Sequence, residues 1–152
     1  MSTRLSLIAA TMVLLCGTMA AQSAADSINA EKQAFLEAIS KQIAGNEGKP
    51  APEVFKNIKM MKEMTAGRLL SVMNFGYSRS LGVSCTHCHV PGKWESDEKP
   101  HKQVARDMAV MVGKINGDML TGISNLRSSK PTINCTTCHR GQVQPALSLP
   151  PR

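Results

Sequence analysis

Aromatic side chains are scarce: the 152-residue chain has one tryptophan, one tyrosine and three phenylalanines, 3% of its residues. Aromatics supply much of the buried apolar area of an ordinary core, so this composition points to a fold that packs around some other large apolar body. Lys and Arg outnumber Asp and Glu by 18 to 11, yet they are scattered singly, with no basic cluster and no aromatic interleaving. That excludes a nucleic-acid surface of the usual kind. Beyond Leu15 no stretch is apolar enough to cross a membrane. Histidine is sparse too, at four residues, and cysteine at five.

The few cysteines carry a pattern. Cys85-Thr86-His87-Cys88-His89 and Cys135-Thr136-Thr137-Cys138-His139 are two copies of Cys-x-x-Cys-His, and they use every cysteine except Cys16. This is the pattern of covalent c-type haem attachment, in which two thiols add across the vinyl groups and the following histidine takes the iron from below. Both sulfurs must reach one porphyrin edge while the imidazole lies under the iron, and a short helical turn sets three side chains in those places. Cys85, Cys88, Cys135 and Cys138 are therefore the expected covalent haem attachments, and His89 and His139 the proximal iron ligands. A zinc tetrathiolate, a dithiol redox pair or two small disulfides would leave the histidine after each pair unexplained. Two c-type haems are expected, and they supply the flat apolar bodies that the composition lacks.

Residues 1–25 read as a cleaved export signal. Arg4 makes the start positive, Leu5 to Leu15 is an apolar run too short to span a bilayer, and small residues follow, Ser23-Ala24-Ala25 being the preferred cleavage site. A retained membrane anchor is the alternative. Leu15 is too bulky for lipoprotein processing at Cys16, so Cys16 leaves with the signal. Export before haem attachment matches an oxidising space, most simply a bacterial periplasm. About 127 residues remain, one domain's worth of chain. Residues 26–50 read as an N-terminal helix and linker, 51–145 as a dihaem domain and 146–152 as a tail. Of the formal charge of +7, one unit leaves with Arg4 and haem propionates offset four more. A mildly basic face suits an acidic redox partner.

Residues 26–44 place Ile28, Phe35, Ile39 and Ile43 at helical spacing behind Asp26 or Ser27 as cap, and Gly45, Gly48, Pro50 and Pro52 follow as a linker. Phe55, Ile58, Met60 and Met61 make a short apolar segment. A helix over residues 65–80, stopping near Gly82, puts Leu69, Leu70, Met73 and Tyr77 on one face, and Gly76 removes a side chain where a porphyrin can approach. A methionine on such a face is more often a core filler, but beside a haem motif that needs a distal ligand Met73 becomes the candidate. In the loop of residues 90–98, which holds Trp94, Ser96 or Asp97 is expected to cap the next helix, with Pro100 in its first turn. That helix, over residues 99–120, carries Val104, Met108, Met111, Ile115 and Met119 on one stripe, apolar enough to be simply core. Periodicity leaves open which of its methionines, if any, binds iron.

Counting narrows the ligands. His89 and His139 are proximal, and His87 sits inside motif 1 where it cannot turn onto its own iron, which leaves His101. At most one haem then has two histidines from this chain. After the signal there remain Met60, Met61, Met64, Met73, Met108, Met111 and Met119, so methionine ligation at both irons is the simpler assumption.

A Met-bearing helix, Leu81-Gly82-Val83-Ser84-Cys85, the turn Asp97-Glu98-Lys99-Pro100, Ala105-Arg106-Asp107-Met108-Ala109-Val110-Met111, Ile115-Asn116 and Cys135-Thr136-Thr137-Cys138-His139-Arg140-Gly141-Gln142 follow one another in order. Over residues 51–145 these blocks resemble the cytochrome c subunit of photosynthetic reaction centres. That subunit carries four haems in two similar pairs, each haem lying along a helix that donates its distal ligand, and this chain matches one pair. The resemblance implies Met73 as distal ligand of the first haem and Met108 of the second, with Met111 or His101 as alternates. The family adds a histidine further along the second helix for another haem; near Thr121 and Gly122 this chain has none. The expected fold is a small, mainly α multihaem cytochrome c, its helices packed around two covalently attached haems with little or no sheet.

An iron with His below and Met above has both axial positions filled, so it changes oxidation state with little ligand movement and admits no substrate, and the thioether raises its potential. The expected function is that of a periplasmic carrier of single electrons between donor and acceptor proteins, with a membrane redox complex as a candidate partner and no nucleic acid or small-molecule substrate. The rivals are a dihaem peroxidase, which needs one iron position that opens and an acid or base such as His101 or Glu98 beside it, and a haem-based sensor with one open site. The chain is short for such an enzyme.

Overall fold

The computed structural model describes residues 25–148. The expected export signal, apart from its last residue, and the end of the tail lie outside the described residues.

Helix α1 covers residues 25–42, and the turn after it passes through Gly45 at φ +78°. Its apolar stripe faces inward, with Ile28, Phe35 and Ile39 half-buried and Ile43 2% exposed. The linker is tied down by backbone: Ala51 N–H donates to Met64 O at 2.8 Å and Ala66 N–H to Lys49 O at 2.9 Å, on either side of a bridge between Pro50 and Thr65. Two backbones meeting this closely need small side chains, and Ala51 and Ala66 are both fully buried. They open the helices α2 (Ala51–Val54) and α3 (Ala66–Ser71), the second capped by Thr65, whose hydroxyl accepts from Arg68 N–H at 3.3 Å. No helix forms over Phe55 to Met61; Asn57 and Met61 both take positive φ there.

From α3 the chain continues through a π-helical stretch, Val72–Ser78, into α4 (Arg79–Leu81), ending at Gly82 in the left-handed region. The helix predicted for residues 65–80 is present, but a wider turn interrupts its middle. Cys85–His87 form a short 3-10 turn. Helix α5 (Pro100–Lys114) runs on through π-helical Ile115–Met119 and the 3-10 turn Leu120–Gly122. Neither Ser96 nor Asp97 caps it: the N-cap is Lys99, without a side-chain hydrogen bond, because Asp97 is drawn to three cations instead. Helix α6 (Cys135–His139) is short but well capped, since Asn134 and Thr137 exchange side-chain and backbone hydrogen bonds at 3.1 and 3.2 Å. Among the described residues there are two isolated bridges and no strand. The mainly α fold read from the sequence is therefore the observed one.

The apolar stripe of α5 departs from expectation. Val104, Met108, Met111 and Met119 are exposed and Ile115 is half-buried, and among the described hydrophobic side chains only Ile43, Ala51, Ala66 and Leu69 are buried. Among the described residues no polypeptide packs over this stripe, so its amphipathic spacing marks a face left open to something other than this core.

One close approach joins the two halves. Gly141 N–H donates to Ser80 O at 2.8 Å, and the hydroxyls of Ser80 and Thr136 are 2.6 Å apart. A Cβ on Gly82, at φ +67°, would lie 2.0 Å from Gly141 O. Gly92 has a similar φ of +73° but nothing within 4 Å. Gly92→Ala is expected to cost about 1 kcal/mol, the left-handed penalty alone, and Gly82→Ala about 3 kcal/mol because backbone must also move. Denaturant unfolding of the two variants against the parent checks the difference; equal losses would show that the Gly82–Gly141 contact is not a constraint.

Candidate haem-binding site

In motif 1 the chain turns tightly, with His89 N–H donating to Cys85 O at 3.0 Å, so that Cys85, Cys88 and His89 project from one turn. Burial pushes the Cys85 and Cys88 thiols up from their ordinary pKa. The ring of His89 is fixed by a hydrogen bond of 3.0 Å between Nδ1 and the carbonyl of Trp94. A carbonyl oxygen only accepts, so Nδ1 carries the proton and Nε2 keeps its lone pair. Burial pushes the His89 pKa down; the Trp94 hydrogen bond opposes this, and Lys102, Arg106 and Lys99 push it further down. The indole of Trp94 meets the imidazole edge-on at 5.8 Å, and Phe35 of α1 meets the indole in turn at 5.2 Å. Helix α1 also receives a hydrogen bond from Thr86 on Glu31, at 3.0 Å.

Motif 2 repeats the arrangement on α6. His139 Nδ1 lies 3.1 Å from the carbonyl of Gln142, which fixes the same tautomer. Asn116, in the π-helical end of α5, holds the approach to this motif with two hydrogen bonds, from Nδ2 to Ile133 O at 2.9 Å and from Ile133 N–H to Oδ1 at 2.8 Å. Because α6 also docks on Ser80 and Gly82, motif 2 lies beside the segment leading into motif 1. Burial pushes the Tyr77 phenol up to about 12, with Cys135 and then Cys88 adding to the effect.

These features fit covalent haem. Each motif presents two free thiols and one imidazole with Nε2 left to coordinate, its other nitrogen oriented by a carbonyl, as metal-bound histidines commonly are. The apolar side chains Val104, Met108 and Met111 of α5 and Phe75 stand exposed. A zinc tetrathiolate does not fit, since among the described residues no three of His, Cys, Asp or Glu converge on one point as a bare metal ion requires.

The candidate distal ligands are less alike. Met73 is half-buried in the π-helical stretch, a backbone form often found at functional sites. Met108 and Met111 stand exposed on α5. His101, in the first turn of α5, stacks on His87 with ring centres 4.3 Å apart. Burial pushes the His87 pKa down, and His101 and Lys99 push it further the same way.

The feature that sequence reasoning missed is a charged cluster under motif 1. The Asp97 carboxylate takes Lys59 at 2.7 Å, Arg106 and Asn57 at 2.9 Å and Lys102 at 3.4 Å. Lys59, Arg106 and Asn57, in that order, hold its pKa well below the usual carboxylate range. Lys102 Nζ also donates to the carbonyls of Trp94 at 2.9 Å and Ser96 at 2.8 Å. Asn57 and Lys59 lie some forty positions from Asp97, beyond the reach of local pattern; the positive φ of Asn57, which aims its side chain at Asp97, had no signal beyond the turn-forming residue type.

Comparison with known proteins gives the family. The family model described as photosynthetic reaction centre cytochrome C subunit matches residues 15–148. The photosynthetic reaction center cytochrome c subunit of Thermochromatium tepidum is 32% identical over 105 residues, 67% of this chain and 24% of the relative. Cytochrome c-554 of Chloroflexus aurantiacus is 30% identical over 83 residues, 55% of this chain and 20% of the relative. The photosynthetic reaction center cytochrome c subunit of Rubrivivax gelatinosus is 26% identical over 110 residues, 70% of this chain and 28% of the relative. The chain thus spans between a fifth and a third of the length of these curated relatives.

The Asp97 cluster has a pH signature. Its folded-state pKa lies below the unfolded one, so its contribution is complete above about pH 4 and fades as pH falls through the folded value. Asp97→Asn is expected to lower the urea midpoint at pH 7, and the gap from the parent to narrow below about pH 4. A gap independent of pH would show that the carboxylate's charge is not what binds the cluster.

Proposed function

The chain belongs to the photosynthetic reaction centre cytochrome c subunit family, and from that premise we propose that it is a periplasmic dihaem c-type cytochrome carrying single electrons between redox partners. The observation that carries the reading is the pair of matched imidazoles, each with Nδ1 committed to a carbonyl and Nε2 directed to coordination, each closing a Cys-x-x-Cys turn. Cys85 and Cys88 hold one haem and Cys135 and Cys138 the other. Each thiol would be held to its haem as a thioether, an addition that needs no oxidant. When bound, haem iron supplies a one-electron couple in which one electron enters from the donor and one leaves to the acceptor.

Met73 and Met108 are the further side chains that would hold the two haem irons, with Met111 and His101 as alternates. Along α5, Met111 lies about 7.5 Å and Met108 about 12 Å from Asn116, which anchors the approach to motif 2. Both are therefore to be tested. With those side chains committed to the haems, iron would offer no site to a substrate, and the protein would work as a carrier, not an enzyme. Residues 51–145 form the dihaem unit, 26–50 a helix and linker bracing motif 1, 146–152 a tail, and 1–25 the signal that exports the chain. Among the described residues no helix is long and apolar enough to cross a membrane. The partners are periplasmic donor and acceptor proteins, and the likeness to two reaction center cytochrome c subunits makes a membrane redox complex a candidate partner.

The ferric protein is expected to show the weak near-infrared band of sulfur-ligated haem, with Met73→Ala removing about half of it and either Met108→Ala or Met111→Ala the remainder. An intact band in all three variants would defeat methionine ligation by these residues. The fully and half-reduced protein should neither bind carbon monoxide nor turn over peroxide; either activity would favour the peroxidase or sensor reading.

A further inference from the structure

Both proximal imidazoles donate to a backbone carbonyl, but the two carbonyls are not alike. Gln142 O accepts from His139 at 3.1 Å, and among the described residues no lysine or arginine is bonded to it. Trp94 O accepts from His89 at 3.0 Å and also from the ammonium of Lys102 at 2.9 Å. Lys102 is not a surface lysine passing by. Its side chain is 11% exposed, and its other donors go to Ser96 O at 2.8 Å and towards Asp97 at 3.4 Å. Arg106, 12% exposed, binds the same carboxylate at 2.9 Å, and Lys59 completes the set at 2.7 Å.

We infer that Lys102 is a positioning residue for the first haem: acting through the Trp94 carbonyl, it weakens His89 as an electron donor to iron and raises that haem's reduction potential. A carbonyl has two lone pairs, and a cation on one withdraws density from the other. His89 Nδ1–H is then less polarised toward the oxygen, the imidazole has less imidazolate character, and Nε2 donates less strongly to the metal. A hydrogen bond to the far nitrogen of an iron-binding imidazole is one of the levers on a haem potential. The charge of Lys102 works in the same direction, because a nearby cation favours the iron state with less positive charge. Asp97 opposes it but is already shared with Lys59 and Arg106, so three cations face one carboxylate, with Glu95 acting from further off. Among the described residues motif 2 has no counterpart, and the two attachment sites of one sequence pattern therefore stand in unlike electrostatic settings.

The inference rests on the dihaem reading, so the test begins with the mass of the parent protein, which must exceed its polypeptide by two haems. Parent, Lys102→Met and Lys102→Arg are then titrated spectroelectrochemically. In Lys102→Met one potential should fall by about 59 mV, a tenfold change in a one-electron equilibrium, while the other stays. Lys102→Arg, which keeps a cation at the carbonyl, should hold the parent value. Paramagnetic NMR identifies the haem that moves, through the contact of the His89 ring with the Trp94 indole. Asp97→Asn supplies an independent arm, since removing the opposing carboxylate should raise the potential of the same haem. No shift, equal shifts at both haems, a shift at the His139 haem, or a fall in Asp97→Asn overturns the inference; a parent lacking two haems overturns the dihaem reading beneath it.

Discussion

Burial of apolar surface is the constraint on which this architecture depends, because the polypeptide achieves so little of it alone. Ile43, Ala51, Ala66 and Leu69 are the buried apolar side chains among the described residues, and two of them are alanines. At roughly 25 cal/mol for each Å² removed from water, such a core offsets only a small part of the conformational entropy of a chain this long. Meanwhile Met108, Met111, Val104 and Phe75 stand in the open. The balance closes if large planar apolar bodies lie against those faces. Folding and cofactor attachment are then one problem, and the backbone ties between Lys49, Ala51, Met64 and Ala66 are what the chain contributes by itself.

The parts legible in the sequence were those set by neighbours along the chain. The Cys-x-x-Cys-His turns, the stripe of α1 and the helices around residues 65–80 and 99–120 follow from spacing, which is local. The parts that were not legible depend on residues far apart in number. Asp97 was expected to cap α5, a sound local inference for an acidic residue ahead of a proline; three cations from two segments outcompete the cap. The stripe of α5 was open to reading as core, because periodicity reports that a face is apolar without reporting what covers it. Gly82 was legible as a helix end, whereas its contact with Gly141 depends on a docking that no spacing encodes.

The two motifs share a pattern and differ in setting. Motif 1 is enclosed by α1, by Trp94 and Phe35, and by the N-terminal turn of α5, whose Lys99 donates to Thr86 O. Motif 2 is a single capped turn held by Asn116 from one side and Ser80 from the other. Helix α5 touches both, at Lys102 near its start and at Asn116 just beyond its α-helical end, about 21 Å apart along the axis. It spans the distance between the two motifs.

The π-helical stretch at Val72–Ser78 changes how that region can be altered. An α-helix advances 100° per residue, so a wider turn that takes in one more residue resets the angular phase of everything after it. Leu69 and Ser80 thus keep independent headings, one into the hydrophobic interior and the other toward α6. Shortening the stretch by a single residue to make a regular helix would leave Leu69 in place and swing Ser80 and Gly82 away from the partners they now meet, so the irregular turn works as a fixed gear offset between two otherwise ordinary helical segments.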